Sequence, residues 1–129
     1  MGYPSDRRYT TEHEWARPEG ARVAIGITQY AQDSLGDVVY VELPPVGQVV
    51  TKGQPFGVAE STKAVSELFA PVGGTVVEVN GPLTEAPETV NQDPYEKGWM
   101  IRLEPSNPAD FQELLTSEEY ERHVAKIGH

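Results

Sequence analysis

Hydrophobic residues occur along the chain in short runs, several of which alternate with polar or small residues at a period of two. Residues 23–27 alternate in this way, and a β-branched run over residues 38–43 ends at two prolines. Similar runs follow at residues 49–50, 56–58, 75–79 and 99–103. Period-two runs bounded by Gly, Pro or Asn are typical of β-strands. Strands this short and this frequent predict a mainly β fold, a sandwich or barrel built from hairpins.

The sequence also predicts a few helices. Thr28 is a suitable N-cap for a short helix over residues 29–35, and Gly36 is a suitable stop for it. The capping box Thr-Ser-Glu-Glu at residues 116–119 opens a C-terminal helix that we expect to end at Gly128. The chain is therefore expected to be mostly strand, with short helices and a helical tail.

An internal repeat indicates how the strands are organised. Residues 45–55 resemble residues 71–82, since each segment has a Pro-Val-Gly turn, a Val-Val strand and a second Gly turn. Two copies are too few for a solenoid, but they suit a sandwich whose pseudo-twofold related halves pack face to face. We expect a single domain over residues 1–129, with a core at about 20–104 and a helical tail at about 107–127.

Lys63 lies midway between the two copies of the repeat. If the halves mirror each other, residues 58–70 form the hairpin that joins them, and Lys63 stands exposed at its tip. A helix is the alternative, because Val65, Leu68 and Phe69 fit one helical face and no Gly, Asn or Pro marks a turn. Local propensity leaves the two interpretations equal, and the repeat favours the hairpin.

Composition excludes several classes of function. The 129 residues carry a net charge of -10, which disfavours nucleic acid and anionic membranes as partners. The absence of cysteine excludes disulfides, thiolate metal sites and a cysteine nucleophile. The three histidines lack paired-ligand spacing, so we expect no metal site. The serines near Lys63 have no neighbouring histidine, so we expect no hydrolase chemistry and no catalytic residue.

The sequence shows no membrane or export signal. No apolar run approaches the roughly 20 residues that a membrane span requires. Residues 1–8 lack the apolar core of a signal peptide. We therefore expect a cytoplasmic protein of bacterial type, or a mitochondrial matrix protein if a presequence has been removed.

The segment Glu60-Ser61-Thr62-Lys63-Ala64 resembles the lipoyl-attachment motif of the H-protein family of the glycine cleavage system. Further stretches resemble that family in the same order, namely residues 9–15, 26–37, 41–44, 70–74 and 90–99. The resemblance covers roughly residues 7–104, which is most of the chain. Thr62 is a departure, because the family more often has an apolar residue such as Val at that position.

The resemblance implies a lipoyl/biotinyl-type flattened half-barrel and a carrier that is not itself an enzyme. Lipoic acid would be joined to Lys63 as an amide by a lipoate-attaching enzyme. The P-protein (glycine decarboxylase) would load an aminomethyl group from glycine onto the arm. The T-protein (aminomethyltransferase) would pass on the one-carbon unit, and the L-protein (dihydrolipoyl dehydrogenase) would reoxidise the dithiol. Cofactors and partners would thus supply the chemistry.

The resemblance also implies a cleft in which the loaded arm folds back. Carboxylates there can hold the protonated amine at the end of the arm and exclude water. The candidates that the family pattern indicates are Glu14 and Glu67, with Glu12 as a further one. Glu67 stands where family members often have Asp.

Four other interpretations remain open from the sequence. A lipoate-relay homologue that donates lipoyl groups to other proteins would look nearly the same. A biotinyl carrier usually has methionines beside its lysine, which Thr62 and Ala64 do not match. A lipoyl domain of a 2-oxoacid dehydrogenase would lack the His-Glu-Trp stretch and the helical tail. The fourth is an interaction domain with an unmodified Lys63.

Overall fold

The strand patterns form two antiparallel sheets in a computed structural model that describes residues 3–127. The strands of this part of the chain are β1 (Arg8–Tyr9), β2 (Glu14–Glu19), β3 (Arg22–Ile27), β4 (Val38–Glu42), β5 (Val49–Val50), β6 (Pro55–Ser61), β7 (Val65–Phe69), β8 (Gly74–Val79) and β9 (Ile101–Pro105). The helices are α1 (Gln29–Leu35), α2 (Gly81–Glu85), α3 (Thr89–Gln92), α4 (Ala109–Gln112) and α5 (Ser117–Ile127). The predicted fold class, mainly β with short helices and a C-terminal helix, is confirmed.

The two sheets differ in size. One has six strands in the order β1-β2-β3-β9-β8-β5, and the other has three in the order β4-β6-β7. The core was predicted to begin at about residue 20. The larger sheet begins earlier in the chain, because β1 and β2 form its edge. Buried residues of both sheets, such as Ile25 and Val76 in one and Val41 in the other, form a common apolar core.

The two copies of the sequence repeat lie side by side in the larger sheet. Val49 pairs with Thr75 and Val50 with Gly74, so β5 and β8 are antiparallel neighbours. The expectation that the two copies face each other across the core is therefore not met. Their pairing satisfies the backbone groups of both segments, as in the hydrogen bond from Gly47 N to the Val76 carbonyl at 2.7 Å.

The predicted helix ends are well reproduced. α1 covers residues 29–35 as expected, and the Thr28 hydroxyl accepts a hydrogen bond from Ala31 N. The capping box before α5 is formed on both sides, with Thr116 N donating to Glu119 Oε1 and Glu119 N donating to Thr116 Oγ1. Gly128, the expected stop of α5, lies outside the described residues.

The sequence pattern missed several short elements. It gave no strand for β1 or β2, and no helix for α2 or α3. It also began the last strand at residue 99, whereas β9 begins at Ile101. The carbonyl of Trp99 instead accepts a hydrogen bond from the Asn80 side chain at 2.7 Å, so it is satisfied outside the strand.

Asn91 fixes the end of α1 against the start of β4. Its amide nitrogen donates to Gln32 Oε1 at 2.8 Å and to the Gly36 carbonyl at 2.9 Å. Its amide oxygen accepts from Val38 N at 2.8 Å. One side chain in α3 thus holds a helix end and a strand start, and this corner supports the hairpin described below.

We expect Asn91→Asp to lower the free energy of unfolding by about 3 kcal/mol, because two donated hydrogen bonds are lost and a carboxylate then faces two oxygen acceptors. Chemical denaturation measures this change. Asn107→Asp is the matched control, since Asn107 acts there as an acceptor from Ala109 N and a carboxylate can do the same. An equal decrease in the free energy of unfolding for the two variants would contradict the role given to Asn91.

Candidate functional site

Residues 55–69 form a β-hairpin, as the repeat predicted, and the helical alternative is wrong. β6 and β7 pair up to Glu60 and Val65, next to the turn. Two-residue hairpin turns usually need Gly or Asn, because the backbone takes positive φ angles there. Here the Ser61 hydroxyl closes the turn by accepting from Ala64 N at 3.0 Å and Lys63 N at 3.2 Å. Ser61 N donates to the Ala64 carbonyl at 2.8 Å.

Lys63 stands exposed at the tip of this hairpin. The tip is held to the rest of the fold by Thr62 N, which donates to the Asp37 carbonyl at 3.2 Å. Asp37 lies between Gly36 and Val38, the two residues whose backbone groups bind the Asn91 side chain. The lysine is therefore carried by a turn that is closed by a side chain and attached to a braced helix end.

Gly36 leaves room for the stem of Lys63. A Cβ at position 36 would lie 3.1 Å from Lys63 Cε, and the φ angle of Gly36 is +91°, which disfavours other residues. The sequence identified Gly36 as a helix stop, but its closeness to Lys63 follows only from the tertiary structure.

Glu14 is a buried carboxyl group with two well-placed donors. Glu14 is only 2% exposed to solvent. Thr10 Oγ1 donates to Glu14 Oε1 at 2.7 Å, and Phe69 N of β7 donates to Glu14 Oε2 at 3.1 Å. Burial raises the pKa of Glu14 to about 7, although these hydrogen bonds act in the opposite direction. The group is thus poised to gain or lose a proton near neutral pH.

A cavity of about 490 Å³ opens beside Glu14. Glu12 and Glu14 line it together with Lys52 and Glu113, which form an ion pair. Its apolar lining residues are Tyr9, Phe69, Ala70, Pro71, Leu114 and Leu115. The cavity therefore combines apolar walls with a net negative set of side chains, an arrangement suited to an apolar chain that ends in a cation.

The structure brings two of the three predicted cleft residues together and separates the third. Glu12 and Glu14 line the same cavity, whereas Glu67 is exposed and lines a different groove of about 310 Å³ with Glu42 and Val58. The cross-strand register places Glu42, Val58 and Glu67 in one row of the smaller sheet.

Sequence reasoning missed the groups that hold and surround Glu14. Thr10 stands four residues before Glu14, but the hydroxyl has no distinctive sequence signal. The Phe69 backbone donor lies 55 positions away, and the Lys52–Glu113 pair joins residues 61 positions apart. Such long-range pairings are not visible in local sequence patterns.

His13 links the turn before Glu14 to the C-terminal helix α5. It has a positive φ of 76°, which is uncommon for a residue other than glycine. Its Nδ1 lies 2.8 Å from the Tyr120 hydroxyl of α5, and that hydroxyl also lies 2.8 Å from Thr28 Oγ1. Burial and the nearby His123 lower the pKa of His13. The C-terminal helix thus supports the turn that carries Glu12 and Glu14.

Two negative findings concern residues 3–127. No group of three or more His, Cys, Asp or Glu side chains in this range is placed to hold a metal ion. In the same range, no helix combines the length and apolar character that crossing a bilayer requires.

Comparisons with known proteins agree over nearly the whole chain. The family described as "Glycine cleavage H-protein" matches residues 7–127. A glycine cleavage system H protein of Anaeromyxobacter sp. (strain K) is 61% identical over 124 residues, covering 96% of this chain and 97% of that protein. The protein of that name from Bacillus subtilis (strain 168) is 54% identical over 121 residues, covering 94% and 95%.

A solved structure agrees as well. The crystal structure of a glycine cleavage system H protein from Mycobacterium marinum has a TM-score of 0.85 and 41% identity to this chain. The similarity covers 98% of this chain and 100% of the other. It therefore includes both sheets, the hairpin and the C-terminal helix.

The raised pKa of Glu14 predicts a pH-dependent stability. Between its ordinary value of about 4.5 and its folded value of about 7, the folded chain keeps a proton that the unfolded chain releases. Stability should therefore fall as pH rises through this window and stay level above it. Relative to Glu14→Gln, the wild type should lose about 3 kcal/mol across the window.

Chemical denaturation of the wild type and Glu14→Gln at a series of pH values measures this difference. Glu104→Gln is the control, because an exposed substitution should change the free energy of unfolding by less than about 0.5 kcal/mol. A difference between wild type and Glu14→Gln that does not change from pH 4.5 to pH 7 would contradict the burial argument.

Proposed function

Because the chain belongs to the glycine cleavage H-protein family, and so is a non-catalytic lipoyl carrier of the glycine cleavage system, we propose that Lys63 bears the lipoyl group. The observation that carries this assignment is the exposed amine of Lys63 at the tip of a closed and braced hairpin. An attachment residue must enter the active site of another enzyme, and a tip presents its side chain without unfolding the carrier.

The residues at the tip fit amide formation. The ammonium group of Lys63 first loses one proton to solvent. The neutral Nζ then attacks the carboxyl carbon of an activated lipoyl donor, the C–N bond forms, the leaving group departs with its electron pair, and a second proton leaves Nζ. Thr62 and Ala64 are small neighbours that leave the amine accessible. The attached group would supply a dithiolane, a ring that contains a disulfide; once the ring is opened by reduction, one of its sulfurs would be available to carry the aminomethyl group.

The carrier's own residues position this chemistry. Ser61 and Thr62 hold the tip, so the side chain of Lys63 swings from a fixed point. A tethered group is present at a high effective concentration at each active site it can reach. We propose the P-protein, the T-protein and the L-protein as the partners that it visits, and a lipoate-attaching enzyme as the partner that modifies Lys63.

We also propose that the cavity beside Glu14 shelters the loaded arm. Phe69, whose backbone holds Glu14, lies six residues along the strand from Lys63, or roughly 20 Å at about 3.3 Å per residue. The side chain of Lys63 therefore reaches the cavity only if a long group is attached to it. A cation in the cavity favours ionised Glu14, and Glu12 adds a second carboxylate. Glu67 is kept as a weaker candidate, because it lies outside this cavity.

The relatives are named for glycine cleavage, so a lipoate-relay role is not favoured. They come from bacteria, which supports a cytoplasmic location.

Lys63→Arg is expected to abolish carriage while keeping the fold, because arginine keeps the positive charge but forms no such amide. Glycine–bicarbonate exchange with the partner enzymes should fall to background. Lys97→Arg is the matched control, since it changes another exposed lysine and should retain full exchange. Exchange by Lys63→Arg at the control level would contradict the assignment.

Glu14→Gln is expected to shorten the lifetime of the aminomethyl-loaded carrier by about tenfold, because a charge-assisted hydrogen bond is lost. The decay rate of the loaded carrier in buffer measures this effect. Glu104→Gln should leave the rate unchanged, since Glu104 is exposed on β9 and lies outside the cavity. Equal decay rates for both variants would remove Glu14 from the shelter.

A further inference from the structure

The smaller sheet has one buried and one open face. Its buried face contributes Val41, Ala59 and Leu68 to the core. Residues paired directly across strands point to the same side of a sheet. The register therefore puts two rows on the opposite face, which we call the outer face: Tyr40, Glu60 and Val65 nearest the tip, then Glu42, Val58 and Glu67.

The outer face exposes large apolar side chains beside the lysine. Tyr40 is 47% exposed and Val65 is 68% exposed. Val39 is exposed as well, because the register shifts between Val38 and Tyr40. The outer face thus combines exposed apolar side chains, one of them aromatic, with polar neighbours, which is a composition found in protein interfaces.

Acidic side chains alternate with these apolar ones, because β6 lies between β4 and β7 and Glu60 therefore stands between Tyr40 and Val65. Glu42, Glu60 and Glu67 belong to the outer face, and none of them forms an ion pair with the residues that the structure describes. The second row opens into the groove of about 310 Å³, whose other walls include Pro44, Pro55 and Phe56. Apart from Lys63 at its edge, the surface is complementary to a partner that presents basic and apolar side chains together.

We propose that the outer face is the docking surface for the enzyme that acylates Lys63, a protein that presents lysine or arginine side chains interspersed with apolar ones. The proposal rests on the proposed function. Its main support is the reach of the unmodified lysine, which spans only about 6 Å from Cα to Nζ over five bonds. The active site of the acylating enzyme must therefore lie against the tip.

The outer face begins at the first strand pair after the turn, Glu60 and Val65. An enzyme that encloses the tip consequently contacts this row. Enzymes that act on the far end of the lipoyl arm do not need to bring their active sites as close to the hairpin tip. This difference makes acylation the step that depends most on the outer face.

The test compares two valines of nearly equal exposure. Val65 on the outer face is 68% exposed, and Val49 in the other sheet is 71% exposed. Acylation by a purified lipoate–protein ligase with lipoate and ATP is followed by intact mass. Val65→Ser should raise the KM for the carrier roughly tenfold, with kcat within about twofold of the wild type. Val49→Ser should match the wild type.

A second pair of variants tests the charge complementarity independently of the apolar contact. Glu42→Lys should raise the KM about fivefold at low salt, and the effect should shrink at high salt because screening weakens it. Glu104→Lys, which reverses an exposed charge on β9, should leave the KM unchanged.

The outcomes separate the two proposals. A wild type that is never acylated at Lys63 overturns the proposed function, and the docking surface with it. If the wild type is acylated but Val65→Ser and Glu42→Lys both behave like their controls, the docking surface alone is overturned. A fall in kcat with an unchanged KM for Val65→Ser also overturns it, because docking is then unaffected.

Discussion

The hydroxyl of Ser61 closes the turn that presents Lys63, the proposed attachment residue. It replaces a backbone acceptor by binding the N–H groups of Lys63 and Ala64, so the chain reverses without glycine or asparagine. Thr62 then joins the turn to Asp37, next to the corner fixed by Asn91. This chain of contacts fixes the backbone of Lys63 and leaves its side chain free, as the proposed swinging arm requires.

The same hairpin connects an exposed amine with a buried acid. β7 begins beside the tip and ends at Phe69, whose N–H holds the Glu14 carboxylate. Keeping this carboxyl group away from water destabilises its charged form, which is why its pKa lies near neutrality. The fold tolerates this because Thr10 and Phe69 supply donors. An ionisable group that is costly to bury but well oriented is typical of functional sites.

Much of the fold follows from the sequence, since the period-two runs and cap signals predicted β3, β4, β8, α1 and α5 closely. The hairpin needed the internal repeat, because Val65, Leu68 and Phe69 suit a helix equally well and no Gly, Asn or Pro marks the turn at residues 61–64. The motif around Lys63 identified the family. The separation of Glu67 from Glu14 could not be predicted, because the two residues belong to different sheets and their distance depends on how the sheets pack and on which face of β7 carries Glu67.

The central claim is that Lys63 alone among the chain's lysines is presented for modification. Its most direct test is peptide-level mass spectrometry of the wild-type protein produced in cells supplied with lipoate. The account predicts the added mass of one lipoyl group on the peptide that contains Lys63, and none on those containing Lys52, Lys97 or Lys126. A lipoyl group on another lysine, or a Lys63 peptide that stays unmodified, would contradict it.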